Sequence, residues 1–207
     1  MPVQSKLASA LGRRDEVPNI DLAIQIVKKK DESAIKELVA LLSHNSTALQ
    51  NDSIKVLYET GEREPALIAG YLKTFLSLLK HKNNRLQWGA MQAIYSVTAV
   101  QHVEVFKALP QIMEAAEKGS VITRDCAVNI LVTLCQNKKY IDSAYPLLLE
   151  VIKISPENQF PTYAEKAWPF LTSELLPEFR NLLTSRYQSI EQETKRKRIE
   201  KLLKKLS

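Results

Sequence analysis

Asn51, Trp88 and Asp125 stand at equal steps of 37 residues along a 207-residue chain. Their types suit recognition. An indole offers a large apolar area, and an amide and a carboxylate beside it supply fixed polar groups. A carboxylate next to an aromatic wall can also stabilise positive charge. Lys55, Gln92 and Asn129 follow the three by four residues each, so on helices every pair shares one face. The alternative is structural: Trp88 folds down over a neighbouring element and the amides only face water.

Other chemistry finds no foothold. His44 and His81 are also 37 residues apart, with Lys118 at the next step. A basic group in that place suits the unpaired carbonyls that end a helix, and no soft or acidic ligands accompany the pair, so no metal site is expected. No Ser or Cys is matched with a suitable His, since residues 44, 81 and 102 read as helix-end or surface positions. The GxGxxG, GxxxxGK[ST] and HExxH patterns are missing. The sequence thus assigns no catalytic residue and no cofactor.

Cys126 and Cys135 lie nine residues apart within one expected helix, more than ~13 Å along its axis and too far to bridge. They read as small buried apolar residues, and two unpaired thiols fit a reducing compartment, here the cytoplasm. No apolar run reaches the ~18–20 residues of a membrane span, and the start, MPVQSKLASALGRRDEVPN, does not read as a cleaved secretion signal.

The net charge of +6 is unevenly placed. The segment KRKRIEKLLKKLS (195–207) holds seven of the 29 Lys and Arg residues and one of the 23 Asp and Glu residues. Residues 1–194 therefore carry 22 of each and are neutral. The basic residues Lys195, Arg196, Lys197, Arg198, Lys201, Lys204 and Lys205 are a candidate contact for an acidic protein, nucleic acid or an anionic surface. Without a partner they form a solvated end helix, whose stripe Ile199, Leu202, Leu203 and Leu206 could also mediate self-association.

What must position these residues is a repeat. The segments starting at Gln50, Gln87 and Arg124 align without gaps at 37 residues, and a fourth at Ala164 follows after 40. One column is small (Ser53, Ala90, Ala127), and the next is apolar (Ile54, Met91, Val128). Val56, Ala93 and Ile130, then Leu57, Ile94 and Leu131, complete a wide buried face. Preceding helices repeat too: Ile35, Leu38, Val39, Leu41 and Leu42 match Leu72, Phe75, Leu76, Leu78 and Leu79, and then Leu109, Ile112, Met113 and Ala116. Each unit is helix A, a polar turn and helix B. The turns are 44–47, 81–84 and 118–121, rich in capping residues. A two-helix unit has two apolar faces, and stacking covers the second.

In this pattern the chain resembles the HEAT and armadillo class of α-solenoids, most closely at residues 108–134. Pro110 stands in helix A and Arg124 three residues before the small Ala127, as in that family, with Pro146 and Pro177 at similar points; Gln50 and Gln87 replace the arginine in the other copies. The resemblance covers residues 31 to about 185. It implies an all-α, right-handed α-α superhelix of about four to five helix pairs, with B helices lining a concave binding face. The chain is expected to be one domain: an N-terminal helical cap over 1–30 with helices at 4–13 and 19–30; pairs at 31–60, 64–99, 101–136 and 140–173; capping helices over 174–207.

Some HEAT-like solenoids are DNA glycosylases that use concave tryptophans, basic residues and an aspartate, which would cast Trp88 and Asp125 in those parts. Against this stand the neutral body, the few basic residues near the stripe (Lys55 and Arg124) and the placing of Trp168 in an apolar column. The expected function is a non-enzymatic scaffold for an unidentified protein or peptide, held by Asn51, Lys55, Trp88, Gln92, Asp125 and Asn129. A nucleic-acid protein acting through the tail is the alternative.

Overall fold

The computed structural model describes residues 2–206, which hold thirteen α-helices and no strand. α1 (Val17–Lys29) precedes the first pair, α2 (Glu32–Leu41) and α3 (Thr47–Arg63). In the second pair helix A is split into α4 (Ala66–Ala69) and α5 (Leu72–Leu78), followed by α6 (Asn84–Val97). The third is split alike into α7 (His102–Lys107) and α8 (Leu109–Lys118), followed by α9 (Val121–Cys135). Then come α10 (Ile141–Ile154), α11 (Phe160–Ala167), α12 (Leu176–Tyr187) and α13 (Glu193–Lys205). The helices fall into two compact units, one ending at Ile130 and the other beginning at Leu131.

The repeat columns are the core. Ser53, Ala90 and Ala127 are all fully buried, as are Ile54, Met91 and Val128 one position on. The helix A column Leu38, Phe75 and Ile112 is equally closed to solvent. In the first unit α3 packs on α1, α2 and α6, and α5 packs on α6. Small residues let α3 and α6 approach closely, and Gly89 sets the limit. A Cβ on Gly89 would lie 2.7 Å from Cγ1 of Ile54. Gly89→Val is therefore expected to lower stability by about 2 kcal/mol through overpacking, read as a lower urea midpoint.

The turns repeat as closely as the core. Ser46 and Asn83 cap α3 and α6 by accepting the N–H of Leu49 and Arg85. Ser120, a further 37 residues on, accepts the N–H of Thr123. The described contacts of His44 and His81 run to the turn that follows rather than to the helix-end carbonyls. In both, Nδ1 accepts a backbone N–H two residues on, from Ser46 and from Asn83, at 3.0 Å. The helix-end carbonyls are met instead by Gln50, which donates to His44 O, and Gln87, which donates to Leu79 O. Gln50 and Gln87 thus tie helix B back to the end of its own helix A.

The N-terminal segment also differs from expectation. Residues 4–13 do not form a helix; a single 3-10 turn, Val3–Lys6, is followed by irregular turns. A buried polar knot holds them. The Asn19 side chain accepts the N–H of Ala8 at 3.0 Å and donates to Asp52 at 2.8 Å, while Asp52 also accepts the N–H of Ser9 at 2.8 Å. Side chains that hold the backbone in this way compete with helix formation.

In the second unit α10 packs on α11 and α12, and α13 packs on α11 and α12. Arg186 closes the C-terminus of α10. It donates to the carbonyls of Ile152, Lys153 and Ser155 at 2.6–3.3 Å and lies over the Phe160 ring at 4.5 Å.

Candidate functional site

On α3, residue 55 follows 51 by four positions, and 58 and 59 follow 55 by three and four, so that they share one side. On α6 the same holds for 85, 88 and 92. Because α3 and α6 pack side by side, five side chains close into a ring. The Trp88 and Tyr58 rings lie 5.9 Å apart at a tilt of 49°. The Lys55 ammonium sits 4.9 Å from the centre of the Tyr58 ring and 3.0 Å from one oxygen of Glu16. The other Glu16 oxygen bonds to Arg85, whose guanidinium lies over Trp88 at 5.1 Å. Glu16 stands at the start of α1, so three helices contribute to the ring.

Beside the ring runs a ladder along α3: Lys55 to Glu59 at 2.7 Å and Glu59 to Arg63 at 2.6 Å. Burial disfavours charge on Glu59, but hydrogen bonds from Lys55 and Arg63 outweigh it and hold the carboxyl below its ordinary value. Burial likewise pulls Lys55 down, and Glu59 with Tyr58 more than restores it, so that the ammonium is held above its ordinary value. Burial alone pulls Arg85 down. The cluster is a charged pair sunk between helices with an aromatic wall and two more accessible groups, Glu16 and Arg85, at its rim.

The predicted site residues divide. Lys55 is not the exposed contact that its place in the stripe suggested: it is 7% exposed, because the i+4 carboxylate of Glu59 and the reach of Glu16 draw the ammonium inward. Asn51 is half-buried and accepts a hydrogen bond from Asn83, joining the α3 row to the cap of α6 at 2.9 Å. Trp88 and Gln92 are half-buried on α6, and Asp125 and Asn129 are half-buried on α9. Trp88 therefore keeps part of its ring outside while Tyr58 and Arg85 hold the rest. Its π-face is already occupied by a guanidinium, which argues against its receiving a developing positive charge as a glycosylase would need.

No family model matches the chain, and no curated protein matches it. Solved structures do. A designed armadillo repeat protein in complex with the peptide (KR)4 superposes with a TM-score of 0.66 at 16% identity, over 90% of this chain and 86% of its own. An engineered protein follows at 0.61 and 18% identity, over 100% of this chain and 99% of its own. A second engineered protein gives 0.55 at 16% identity, over 100% and 97%. The fold is a HEAT/armadillo-like α-solenoid.

In this armadillo-like chain the sequence missed Glu16, Tyr58, Glu59 and Arg85. Two of them, Glu59 and Arg85, carried a readable signal. Lys55, Glu59 and Arg63 form an i, i+4 ladder of alternating sign, and Arg85 precedes Trp88 by one helical turn. Glu16 carried none, since 39 residues separate it from Lys55 and only the packing of α1 on α3 brings it near.

The basic tail is largely spent on its own unit. Arg198 makes a bidentate pair with Glu165 at 2.9 and 2.6 Å. Lys195 bonds to Asn158 and faces Glu157 at 3.8 Å, and Lys197 pairs with Glu193 at 2.7 Å. Arg196 donates to Ile190 O and lies over Tyr187. Lys205 covers the ring of Trp168, which is half-buried at the start of a 3-10 turn and not core as its column suggested. Lys201 and Lys204 are exposed. Cys126 and Cys135 are both buried thiols, and burial pushes Cys135 up to about 12, which makes it a poor nucleophile near neutral pH. No helix of the described residues is long and apolar enough to cross a membrane.

Proposed function

We propose that this chain is a non-enzymatic, cytoplasmic interaction scaffold that holds a peptide or a protein surface on the concave face of its B helices. Trp88 is the anchor, and Asn51, Gln92, Asp125 and Asn129 are the polar contacts around it. Lys55 acts from below as the charge that fixes the ring. The observation that carries this reading is the half-buried indole of Trp88, braced by Tyr58 at 5.9 Å and by Arg85 at 5.1 Å. A side chain held in place before binding loses little entropy on binding, which is the property of an interaction hot spot. The peptide complex of the designed armadillo repeat protein supports the class of ligand.

Selection from a random peptide library on the full chain tests it. Enriched peptides should bind the wild type and lose at least about tenfold in affinity on Trp88→Ala, in line with the loss of a hot spot. Circular dichroism should show helicity retained in that variant. Enriched peptides indifferent to Trp88, or collapse of helicity on its removal, would reject the reading.

A further inference from the structure

Glu16 stands apart from the rest of the ring. It belongs to neither α3 nor α6, yet its carboxylate is the only acid that joins their two cations, Lys55 and Arg85, among the contacts described. It occupies the N-cap position of α1, where a carboxylate would normally accept a helix N–H, and its side chain makes no such bond. α1 therefore loses no cap if Glu16 swings away. Its side chain is 41% exposed and that of Arg85 35%, against 8% and 12% for Lys55 and Glu59. The buried pair is fixed, and the Glu16 contact is the exchangeable part.

The match between Glu16 and Arg85 is incomplete. Glu16 reaches one guanidinium nitrogen, Nη2, with one oxygen, while its second oxygen serves Lys55. Arg85 Nε is closed to solvent and has no hydrogen-bond partner. A buried donor left without an acceptor is costly, and the fork geometry of guanidinium favours a carboxylate that takes two nitrogens together. With Glu16 withdrawn, Lys55 and Arg63 keep Glu59, with Glu62 close by, while Arg85 is left without a carboxylate among the contacts described, so the vacated place calls for an anion. Trp88 lies directly under the guanidinium and supplies apolar area next to that place.

We propose that Glu16 is an internal stand-in for a carboxylate of the partner, so that the α3–α6 face takes an acidic peptide in which Asp or Glu alternates with apolar residues, and Glu16 competes with it. This rests on the reading of the same face as a peptide site and adds its charge class. The ligand carboxylate takes Arg85, its apolar neighbour covers Trp88, and Lys55 stays paired with Glu59. A basic peptide gains nothing from the departure of Glu16, because the face it meets is then more positive.

The test uses the full chain and two fluorescein-labelled octapeptides, four Glu-Leu repeats and four Lys-Leu repeats, followed by anisotropy at low salt where charge contacts are least screened. Glu16→Gln removes the charge with little change in shape. It should bind the Glu-Leu peptide about tenfold more tightly than the wild type, and Trp88→Ala should abolish that gain. Equal or weaker binding of the Glu-Leu peptide by Glu16→Gln overturns the proposal. Binding of the Lys-Leu peptide alone, in a Trp88-dependent way, would overturn the charge class while leaving the peptide face standing. If neither peptide responds to Trp88 in any variant, both fall. Should Glu16→Gln fold poorly by thermal melting, Glu16→Asp keeps the charge but shortens its reach and carries the same expectation.

Discussion

Asn19→Leu should lower the stability of the N-terminal unit by about 3 kcal/mol. The substitution keeps the volume and removes both functions of the amide. The N–H of Ala8 is left buried without an acceptor, and Asp52 loses one of its two donors. Each such loss costs about 1–3 kcal/mol where water cannot compensate. Asn19 is 1% exposed, so it cannot. Urea unfolding measures the total. Hydrogen exchange at Ala8 and Ser9 locates it, because these amides should lose protection before those of α3. A change below about 0.5 kcal/mol would mean that the turns of residues 7–11 are held by apolar packing alone.

Lys55→Met is the second large effect. Methionine preserves the aliphatic stem but takes the ammonium from between Glu16 and Glu59, and about 2 kcal/mol should go, the scale of a charge-assisted hydrogen bond in a partly buried place. The pH dependence is the sharper readout. Burial opposes ionisation of Glu59, and the bonds from Lys55 and Arg63 overcome it, so its folded-state value is depressed below the ordinary 4.5. Stability from this group is therefore complete above about pH 4.5 and is lost as pH falls through the depressed folded value. In Lys55→Met, with the ammonium gone, that acid-side loss should shrink. An unchanged acid limb would show that the Lys55–Glu59 pair does not couple to folding.

The repeat was legible because close packing leaves a periodic trace. Ser53, Ala90 and Ala127 had to be small for α3, α6 and α9 to find their neighbours, and one missing residue would have shifted every apolar column after it. The cap residues Ser46, Asn83 and Ser120 follow from the same period. What the period does not encode is where a long polar side chain goes once its Cβ has been placed. Lys55 falls in the outward stripe by spacing and turns inward by charge. His44 and His81 sit where a cation is welcome, yet each supplies a lone pair to the next turn. The N-terminal segment has helix-forming composition up to Leu11, but Asn19 and Asp52, contributed from other elements, take its backbone N–H groups. Glu16 shows the limit most clearly, since its partners come from helices that begin 31 and 68 residues later.

The two tryptophans allow the most direct test of the Trp88 face. Each indole N–H gives its own signal in a proton–nitrogen correlation spectrum, assigned by Trp88→Phe and Trp168→Phe. Titration with a library-selected peptide should move the Trp88 signal in step with binding and leave Trp168 in place. Movement of Trp168 with Trp88 unmoved would put the ligand on the other unit and contradict the account.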